Sequence, residues 1–255
     1  MKNAVNVLMY HAISGAPGPT NIDVDTFRGQ MDLLAARGYD AVALRDLVAW
    51  HEGDAELPEH AAVITFDDGF ADFAEHAAPI LLARGWTATV FLPTGCMGAE
   101  ENWAGADDPP RPLMTWSQVE DLAGRGIDFG GHSVSHADLT KLTAAQLEQE
   151  IHQSQQDIER HLGDAPVSFA PPYGYVNSVV RAAIGKWFRI SVSTRLQRAT
   201  RGSDLLNLPR IEMHYFRDLA RWDAYLDGRA ELYFGSRRAL RRVRQIALER
   251  RWASP

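Results

Sequence analysis

The 255-residue sequence has little of what marks several large classes of protein. It contains one cysteine, Cys96, so it can form neither an internal disulfide nor a cysteine-based metal site, and we expect Cys96 to be a small packing residue. No apolar run approaches the length of a membrane-spanning helix. No Gly-x-Gly-x-x-Gly motif follows the first apolar run, which counts against a dinucleotide-binding Rossmann fold, the main competing α/β architecture.

The charge of the chain is unevenly distributed. The formal net charge is −7, but residues 236–255 carry seven arginines against one acid, Glu249. The 19 basic and 32 acidic residues outside this segment give the body a formal charge of about −13. Because residues 1–235 are strongly acidic, we predict that the protein does not bind nucleic acid. We interpret residues 1–235 as the main domain and residues 236–255 as a basic, helical C-terminal tail.

The two ends of the chain bear on where the protein acts. We expect the tail helix to pack on the acidic body, and weak contact with an anionic membrane surface is the alternative. The N-terminal residues predict a first strand rather than a signal peptide, because Asn6 interrupts the apolar stretch and no small-residue cleavage site follows. We therefore expect a cytoplasmic or peripheral membrane protein if this N-terminus is native, and a secreted or cell-envelope protein otherwise.

Short apolar runs alternate with amphipathic segments along the chain, which is typical of βα units and a largely parallel sheet. The runs cover residues 5–10, 62–66, 87–92, 127–129, 167–170, 188–192 and 208–213. Thr143 and Gln146 match a capping box, so a helix is predicted from that point to Gly163. Seven strands with intervening helices predict an α/β fold of the barrel type, a distorted and incomplete (β/α)7 barrel resembling a TIM barrel.

Three polar clusters follow predicted strands, where the functional residues of parallel α/β folds collect. They are TFDDGF with Asp67 and Asp68, HSVSH with His132 and His136, and FAPPYG with Tyr173. Each alone also fits a plain turn or a pair of surface histidines. Two imidazoles four residues apart meet on one side if the segment turns helically, and with a carboxylate they suit a divalent metal such as zinc.

In this order the motifs resemble those of the polysaccharide deacetylases, also called carbohydrate esterase family four, and most of all the biofilm-polysaccharide deacetylases. The resemblance runs over most of residues 4–226 and includes VLMYH at 7–11 and LPRI at 208–211. It implies a distorted seven-stranded barrel, one divalent metal, and a catalytic domain over residues 1–235. Carried over by motif, Asp67 is the catalytic base, and Asp68, His132 and His136 are the metal ligands.

The same resemblance implies a single Zn2+ ion, with Co2+, Ni2+ or Fe2+ as alternatives because the same ligands serve them all. It also assigns the backbone N–H of Tyr173, on the rigid turn with Pro172, to the oxyanion of the tetrahedral intermediate. Trp103 lies in the polar, Pro/Gly-rich stretch 97–112, which is a candidate lid, and it is a possible stacking surface for a sugar ring.

The sequence departs from the family pattern at two places. Ala170 stands where many members have the arginine that orients the base, and we hypothesise that Arg210 takes over that pairing with Asp67. The Leu-x-His motif that carries the general acid in many relatives fails at its first position before His214. We therefore favour His11, at the end of the first predicted strand, as the general acid, with His214 as the second candidate.

These features predict a metal-dependent hydrolase that removes N-acetyl groups from the amino sugars of a polysaccharide or other glycan. The nucleophile would be a metal-activated water and the expected partner an N-acetylated glycan. One alternative is a deformylase or deacylase acting on a lipid-linked amino sugar or a small amide. Another is a metal-bound glycan-binding protein without turnover, although pure binding would not require the retained Asp67.

Overall fold

Short strands and α-helices alternate in the computed structural model, which describes residues 4–107, 109–230 and 232–240. The strands are β1 Ala4–Tyr10, β2 Asp40–Ala41, β3 Ala61–Phe66, β4 Thr89–Leu92, β5 Asp128–Gly131, β6 Ser168–Phe169, β7 Ile190–Leu196, β8 Ala199–Thr200 and β9 Leu208–Glu212. The α-helices are α1 Val24–Ala36, α2 Asp46–Glu52, α3 Ala78–Leu82, α4 Trp116–Gly124, α5 Ala144–Leu162, α6 Ser178–Trp187 and α7 Leu219–Leu226.

Seven of these strands pair in parallel and form a closed barrel. The order around the ring is β1, β3, β4, β5, β6, β7 and β9, and β9 returns to β1 with Ile211 opposite Leu8. Every predicted apolar run supplies one of these strands, so the predicted (β/α)7 barrel is confirmed. The ring has one strand fewer than a TIM barrel, and a register shift between β7 and β9 distorts it.

The sequence did not predict β2 and β8, which lie outside the ring. β2 pairs with the start of β3, where Asp40 is opposite Ala61, and β8 runs antiparallel to β1, where Ala199 is opposite Val5. A pairing of two residues leaves no hydrophobic alternation that a sequence pattern could reveal.

The longest helix, α5, begins and ends where the sequence predicted. Thr143 and Gln146 form the reciprocal capping box, in which each side chain bonds the other residue's backbone N–H. Gly163 ends the helix with φ of 85°, a left-handed conformation that glycine adopts without steric cost. Ile151 and Ile158, which are spaced for one helix face, are both buried. The long helix is therefore firmly seated beside the barrel.

Apolar side chains fill the barrel and close its amino end. The interior cluster includes Val5, Val7, Val63, Phe91, Ile190, Val192 and Leu208 from the strands, Ala170 directly after β6, and Leu44, Leu47 and Trp50 from the segment around α2. The opposite faces of the strands pack on the outer helices, for example Leu8 and Ile64 near Phe27 and Met31 of α1. Residues of α2 pack at the amino end of the barrel, and the three polar motifs follow the carboxyl ends of the strands.

The helix that begins the C-terminal segment packs on the body of the protein. Residues 232–240 are helical and include the first five residues of the predicted basic tail, while residues 241–255 lie outside the described part of the chain. The guanidinium of Arg237 lies over the rings of Tyr215 and Tyr233 at 5.4 and 5.3 Å. Within the described ranges, no helix combines the length and the apolar character needed to cross a bilayer.

Gly130 in β5 allows β5 and β6 to approach each other closely. A Cβ atom at Gly130 would lie 2.5 Å from Ser168 Oγ and 2.7 Å from Ser168 O on the neighbouring strand, distances too short for a real contact. Gly124 at the end of α4 offers a matched contrast, because a Cβ atom there would meet nothing within 4 Å.

We expect Gly130→Ala to lower the free energy of unfolding by about 1–3 kcal/mol, because the added methyl group overpacks the barrel wall. Gly124→Ala should be neutral or stabilise the protein by up to about 1 kcal/mol, because alanine favours the helix. Denaturant unfolding of both variants measures the difference. Equal unfolding midpoints for the two would show that the close approach of β5 and β6 does not depend on this glycine.

Candidate active site

The two adjacent acids at the end of β3 are separated by a sharp turn of the backbone. Asp67 still follows the strand, and its N–H donates to the carbonyl of Tyr10 on β1 at 3.0 Å. Asp68 and Gly69 then adopt left-handed φ values of 73° and 67°. For a non-glycine residue such a conformation is strained and is often found at functional sites. The turn gives the two carboxylates different neighbours.

The two histidines meet through a non-helical turn after β5. The segment 132–136 contains no helix, and Ser133 and His136 have φ values of 62° and 55°. The rings of His132 and His136 are 4.9 Å apart between centroids. The premise that a helical turn brings them together is therefore wrong. Two left-handed residues bend the loop back instead, so that both imidazoles point to the same place.

Asp68, His132 and His136 form a group that can hold a metal ion. Asp68 Oδ1 lies 3.2 Å from Nε2 of each histidine, and the three ligand atoms lie within 4.8 Å of one another. The residues are 6%, 2% and 5% exposed. A carboxylate with two imidazoles suits zinc and related divalent ions, and three protein ligands leave a position open.

The surroundings of these side chains fit a metal as well. His132 Nδ1 lies 2.6 Å from the carbonyl oxygen of Ala170, which can only accept, so Nδ1 carries the proton and Nε2 keeps its lone pair for a ligand bond. Burial acts to raise the pKa of Asp68, but the contacts of its carboxylate with the imidazoles of His132 and His136 outweigh it and hold this pKa well below the ordinary 3.8. Asp68 is therefore an anionic donor at neutral pH.

The carboxylate of Asp67 forms a bidentate ion pair with the guanidinium of Arg210. Arg210 NH1 donates to Asp67 Oδ1 at 2.6 Å and NH2 donates to Oδ2 at 2.7 Å. The same guanidinium donates through Nε to Ser193 O at 3.0 Å and through NH1 to Thr65 Oγ1 at 3.1 Å. Arg210 is only 1% exposed. The pairing hypothesised from the sequence is thus present as a two-pronged, buried ion pair.

The ion pair keeps Asp67 ionised despite its burial. Burial acts to raise the pKa of this carboxyl, but the charge and hydrogen bonds of Arg210, with smaller contributions from His11 and His132, hold it below the ordinary 3.8. Each carboxylate oxygen retains a second lone pair, since an ionised carboxylate has about four acceptor positions. Asp67 is therefore a negatively charged acceptor that can receive a proton from a third group.

The two candidate general acids lie in different surroundings. His11 Nε2 is 3.8 Å from Asp67 Oδ2, and the His11 side chain is 18% exposed, so it borders the cluster and still reaches solvent. The charges that act on His214 belong to Arg217, Glu212 and Arg237 instead. Within the described residues, no hydrogen bond, ion pair or ring contact joins His214 to the cluster. Burial and the nearby arginines lower the pKa of His214.

Tyr173 borders the metal group from the third motif. It has a φ of 61° in the tight turn Pro172–Gly174, with Pro172 buried beneath it. The edge of its ring lies against His136, with ring centroids 4.7 Å apart. The FAPPYG turn therefore comes to the same rim as the two earlier motifs.

The stretch between β4 and α4, which is the candidate lid, reaches the histidines through Trp103. The ring of Trp103 lies on His136, with centroids 4.2 Å apart. Glu101, which is 2% exposed, anchors the stretch by accepting hydrogen bonds from Arg111 Nε at 2.6 Å and NH2 at 2.9 Å. Trp116, the first residue of α4, stacks on His161 of α5, with ring centroids 4.0 Å apart.

Sequence reasoning missed the residues that hold these groups in place. Thr65 and Ser193 support Arg210, Glu101 anchors the lid, and Glu150 of α5 bonds the histidine loop. None belongs to the polar clusters that follow the strands, apart from Thr65, which reads as an ordinary strand residue. Only the three-dimensional contacts reveal them.

The three motifs and their surroundings lie within a match to the family model described as polysaccharide deacetylase, which covers residues 54–187, more than half of the chain. The chain belongs to the polysaccharide deacetylase family. The protein is therefore a deacetylase, a hydrolase of carbon–nitrogen bonds, from a metal-dependent family that acts on N-acetylated polysaccharides.

Relatives of this deacetylase span most of its length. YxkH of Bacillus subtilis (strain 168), whose name assigns it provisionally to the polysaccharide deacetylases, is 24% identical over 222 residues, or 87% of this chain and 75% of its own. The Streptococcus pyogenes deacetylase PplD, solved with acetate, has a TM-score of 0.73 at 23% identity, covering 83% and 92% of the two chains. IcaB from Ammonifex degensii has a TM-score of 0.72 at 21% identity, covering 87% and 97%. The two structures support the fold.

Proposed function

We propose that this deacetylase hydrolyses the N-acetyl groups of amino sugars in a glycan, with Asp67 as general base and His11 as general acid. The convergence of an arginine-held Asp67 and the buried Asp68, His132 and His136 at one end of the barrel carries this proposal. A group that takes a proton and a group that can hold a metal lie side by side there, as metal-assisted amide hydrolysis requires.

Asp68, His132 and His136 would hold one divalent ion, for which Zn2+ is the best match to two imidazoles and one carboxylate. When bound, such an ion supplies Lewis acidity, which polarises the amide carbonyl and makes a water molecule more acidic. Two contacts within the chain orient and cover the histidine ligands. The Ala170 carbonyl fixes the tautomer of His132, and Trp103 covers one face of His136 and limits access by bulk water.

Asp67 would take the proton from the attacking water. Its carboxylate is ionised, and Arg210 and the backbone bond to Tyr10 hold it in one orientation. The backbone N–H of Tyr173, presented by the turn that begins at Pro172, would donate a hydrogen bond to the oxyanion that forms on the former carbonyl oxygen. When the C–N bond breaks, acetate leaves and the sugar nitrogen needs a proton.

His11 would donate that proton to the leaving amine. Its Nε2 is close to Asp67 and its side chain still reaches solvent, so the proton can be replaced after each turnover. Within the described residues no hydrogen bond, ion pair or ring contact joins His214 to the cluster, which makes it the second candidate. The N-acetyl group of the amino sugar would lie beside Asp67 and His11, whose side chains are adjacent, with Trp103 as a candidate stacking surface.

The purified metal-loaded protein is expected to release acetate from a panel of N-acetylated oligosaccharides. Removing the metal with a chelator should abolish release, and returning Zn2+ should restore it. Asp67→Asn should lower turnover by about 10²- to 10⁴-fold, because the proton acceptor is lost. The same variant should keep its metal content, because Asp67 is not one of the three ligands.

Two results would contradict this proposal. If the metal-loaded protein releases no acetate from any member of the panel, the N-acetyl substrate is wrong, and formate from N-formyl substrates would identify the deformylase alternative. If Asp67→Asn turns over at the wild-type rate, Asp67 is not the base. Metal analysis of each sample separates lost chemistry from lost metal.

The pH–rate profiles of His11→Ala and His214→Ala test the general acid. We expect His11→Ala to lose about 10²-fold or more in turnover and to lose the alkaline limb of the profile, where the wild-type acid gives up its proton. His214→Ala should keep the shape of the wild-type profile. The assignment is wrong if His11→Ala retains the wild-type profile.

A further inference from the structure

The loop that carries the two histidines has a strained backbone. Ser133 and His136 both have left-handed φ values, 62° and 55°, and neither is a glycine. Residues persist in such conformations only where the surrounding structure holds them. Because His136 owes its direction to this loop, the contacts that hold the loop also decide where its Nε2 points.

One side of the loop is held by backbone bonds from the turn after β4. The N–H of Thr94 donates to Ser133 O at 3.1 Å, and the N–H of Gly95 donates to Val134 O at 2.8 Å. The approach is close, because a Cβ atom at Gly95 would lie 2.8 Å from Val134 Cγ1. These contacts fix the carbonyl groups of the loop and leave its N–H groups to another partner.

That partner is the carboxylate of Glu150 on α5. Glu150 Oε2 accepts from the N–H of Val134 at 2.8 Å and from the N–H of Ser135 at 2.9 Å. Glu150 Oε1 accepts from Ser135 Oγ at 2.7 Å. One charged side chain thus binds two consecutive backbone amides and a hydroxyl, all between the two histidines. Hydrogen bonds to an ionised acceptor are about twice as strong as neutral ones.

Glu150 is presented by a rigid part of the molecule. The helix is capped at both ends, and Leu147 and Ile151, on either side of Glu150 in sequence, are buried against the barrel. The position of the Glu150 carboxylate is therefore fixed by the packing of α5. The carboxylate neither contacts the histidine rings nor reaches the ligand atoms of Asp68 in any described hydrogen bond.

We propose that Glu150 is a positioning residue for the metal centre, which holds the strained loop so that His132 and His136 aim their Nε2 atoms at one point. This inference rests on the proposed function, because it assumes that the aimed group binds a divalent ion. Partners that orient metal ligands without touching the ion commonly contribute about 10- to 100-fold to metal affinity.

The test measures the Zn2+ affinity of the apo protein by competition with a chromophoric chelator, at one fixed pH. Glu150→Ala should bind Zn2+ about 10- to 100-fold more weakly than the wild type. Glu150→Gln should stay much closer to the wild type, since its amide oxygen can still accept from both backbone N–H groups. Glu148→Ala is the matched control on the same helix, because Glu148 pairs with Lys186 and Trp187 instead. It should bind Zn2+ as the wild type does.

Two further measurements separate positioning from a merely structural role. Thermal unfolding of the apo variants reports stability alone, and the visible spectrum of the Co2+-loaded variants reports ligand geometry. A lower apo Tm for Glu150→Ala with unchanged Zn2+ affinity and an unchanged Co2+ spectrum would overturn the inference. If Glu150→Ala fails to fold, Ser135→Ala, which removes one of the three bonds, should still weaken Zn2+ binding, and wild-type affinity in that variant would overturn the inference.

Failure of the proposed role of Glu150 can be distinguished from failure of the proposed function. If the wild type binds Zn2+ and releases acetate while Glu150→Ala matches its affinity, only the role of Glu150 falls. If the wild type binds Zn2+ and Glu150→Ala binds it weakly, but neither releases acetate, the role of Glu150 stands and the proposed substrate falls. If the wild type binds no divalent ion, both fall.

Discussion

The carboxylate of Asp67 and the guanidinium of Arg210 meet inside the mouth of the barrel, where neither has appreciable contact with water. Two buried charges are costly to remove from water, and such a pair is favourable only when its geometry and its remaining hydrogen bonds are good. Here the pairing is two-pronged, and the other donors of Arg210 reach Ser193 and Thr65. The interaction therefore ties β3, β7 and β9 together at the end of the barrel that carries the site.

This ion pair also gives the neighbouring residues Asp67 and Asp68 different surroundings. Asp67 is paired with a permanent cation, whereas Asp68 faces two imidazoles, because the backbone turns sharply between them. Both carboxyls are ionised at neutral pH, for different reasons. Both oxygens of Asp67 already accept hydrogen bonds from the guanidinium of Arg210. Asp68, with only histidines beside it, is the one suited to a metal. Arg210 of β9 thus pairs with Asp67, whereas the third motif has Ala170 and offers no arginine for this pairing.

Much of this arrangement is predictable from the sequence, because its determinants are local. Seven apolar runs gave the seven barrel strands, and polar residues directly after them had to collect at one end. The pairing of Arg210 with Asp67 was hypothesised from the family resemblance, because Ala170 stands where many members have an arginine, and from the strand-end position of Arg210. The turn of the histidine loop was not predictable, because positive φ at Ser133 and His136 depends on contacts made from elsewhere. Glu150 and Glu101 likewise look like surface acids in sequence, and only the packing of α5 and of the lid gives them partners.

The most direct test of this account is the turnover of Arg210→Lys, measured as kcat/KM for an N-acetylated oligosaccharide together with the metal content of the same sample. Lysine keeps the charge but cannot bind both carboxylate oxygens in the fixed fork that arginine provides. The account predicts unchanged metal content, because Asp68, His132 and His136 are untouched. It also predicts a loss of about 100-fold in kcat/KM, as expected when a reacting group is displaced by about 1 Å. Wild-type turnover at unchanged metal content would contradict it.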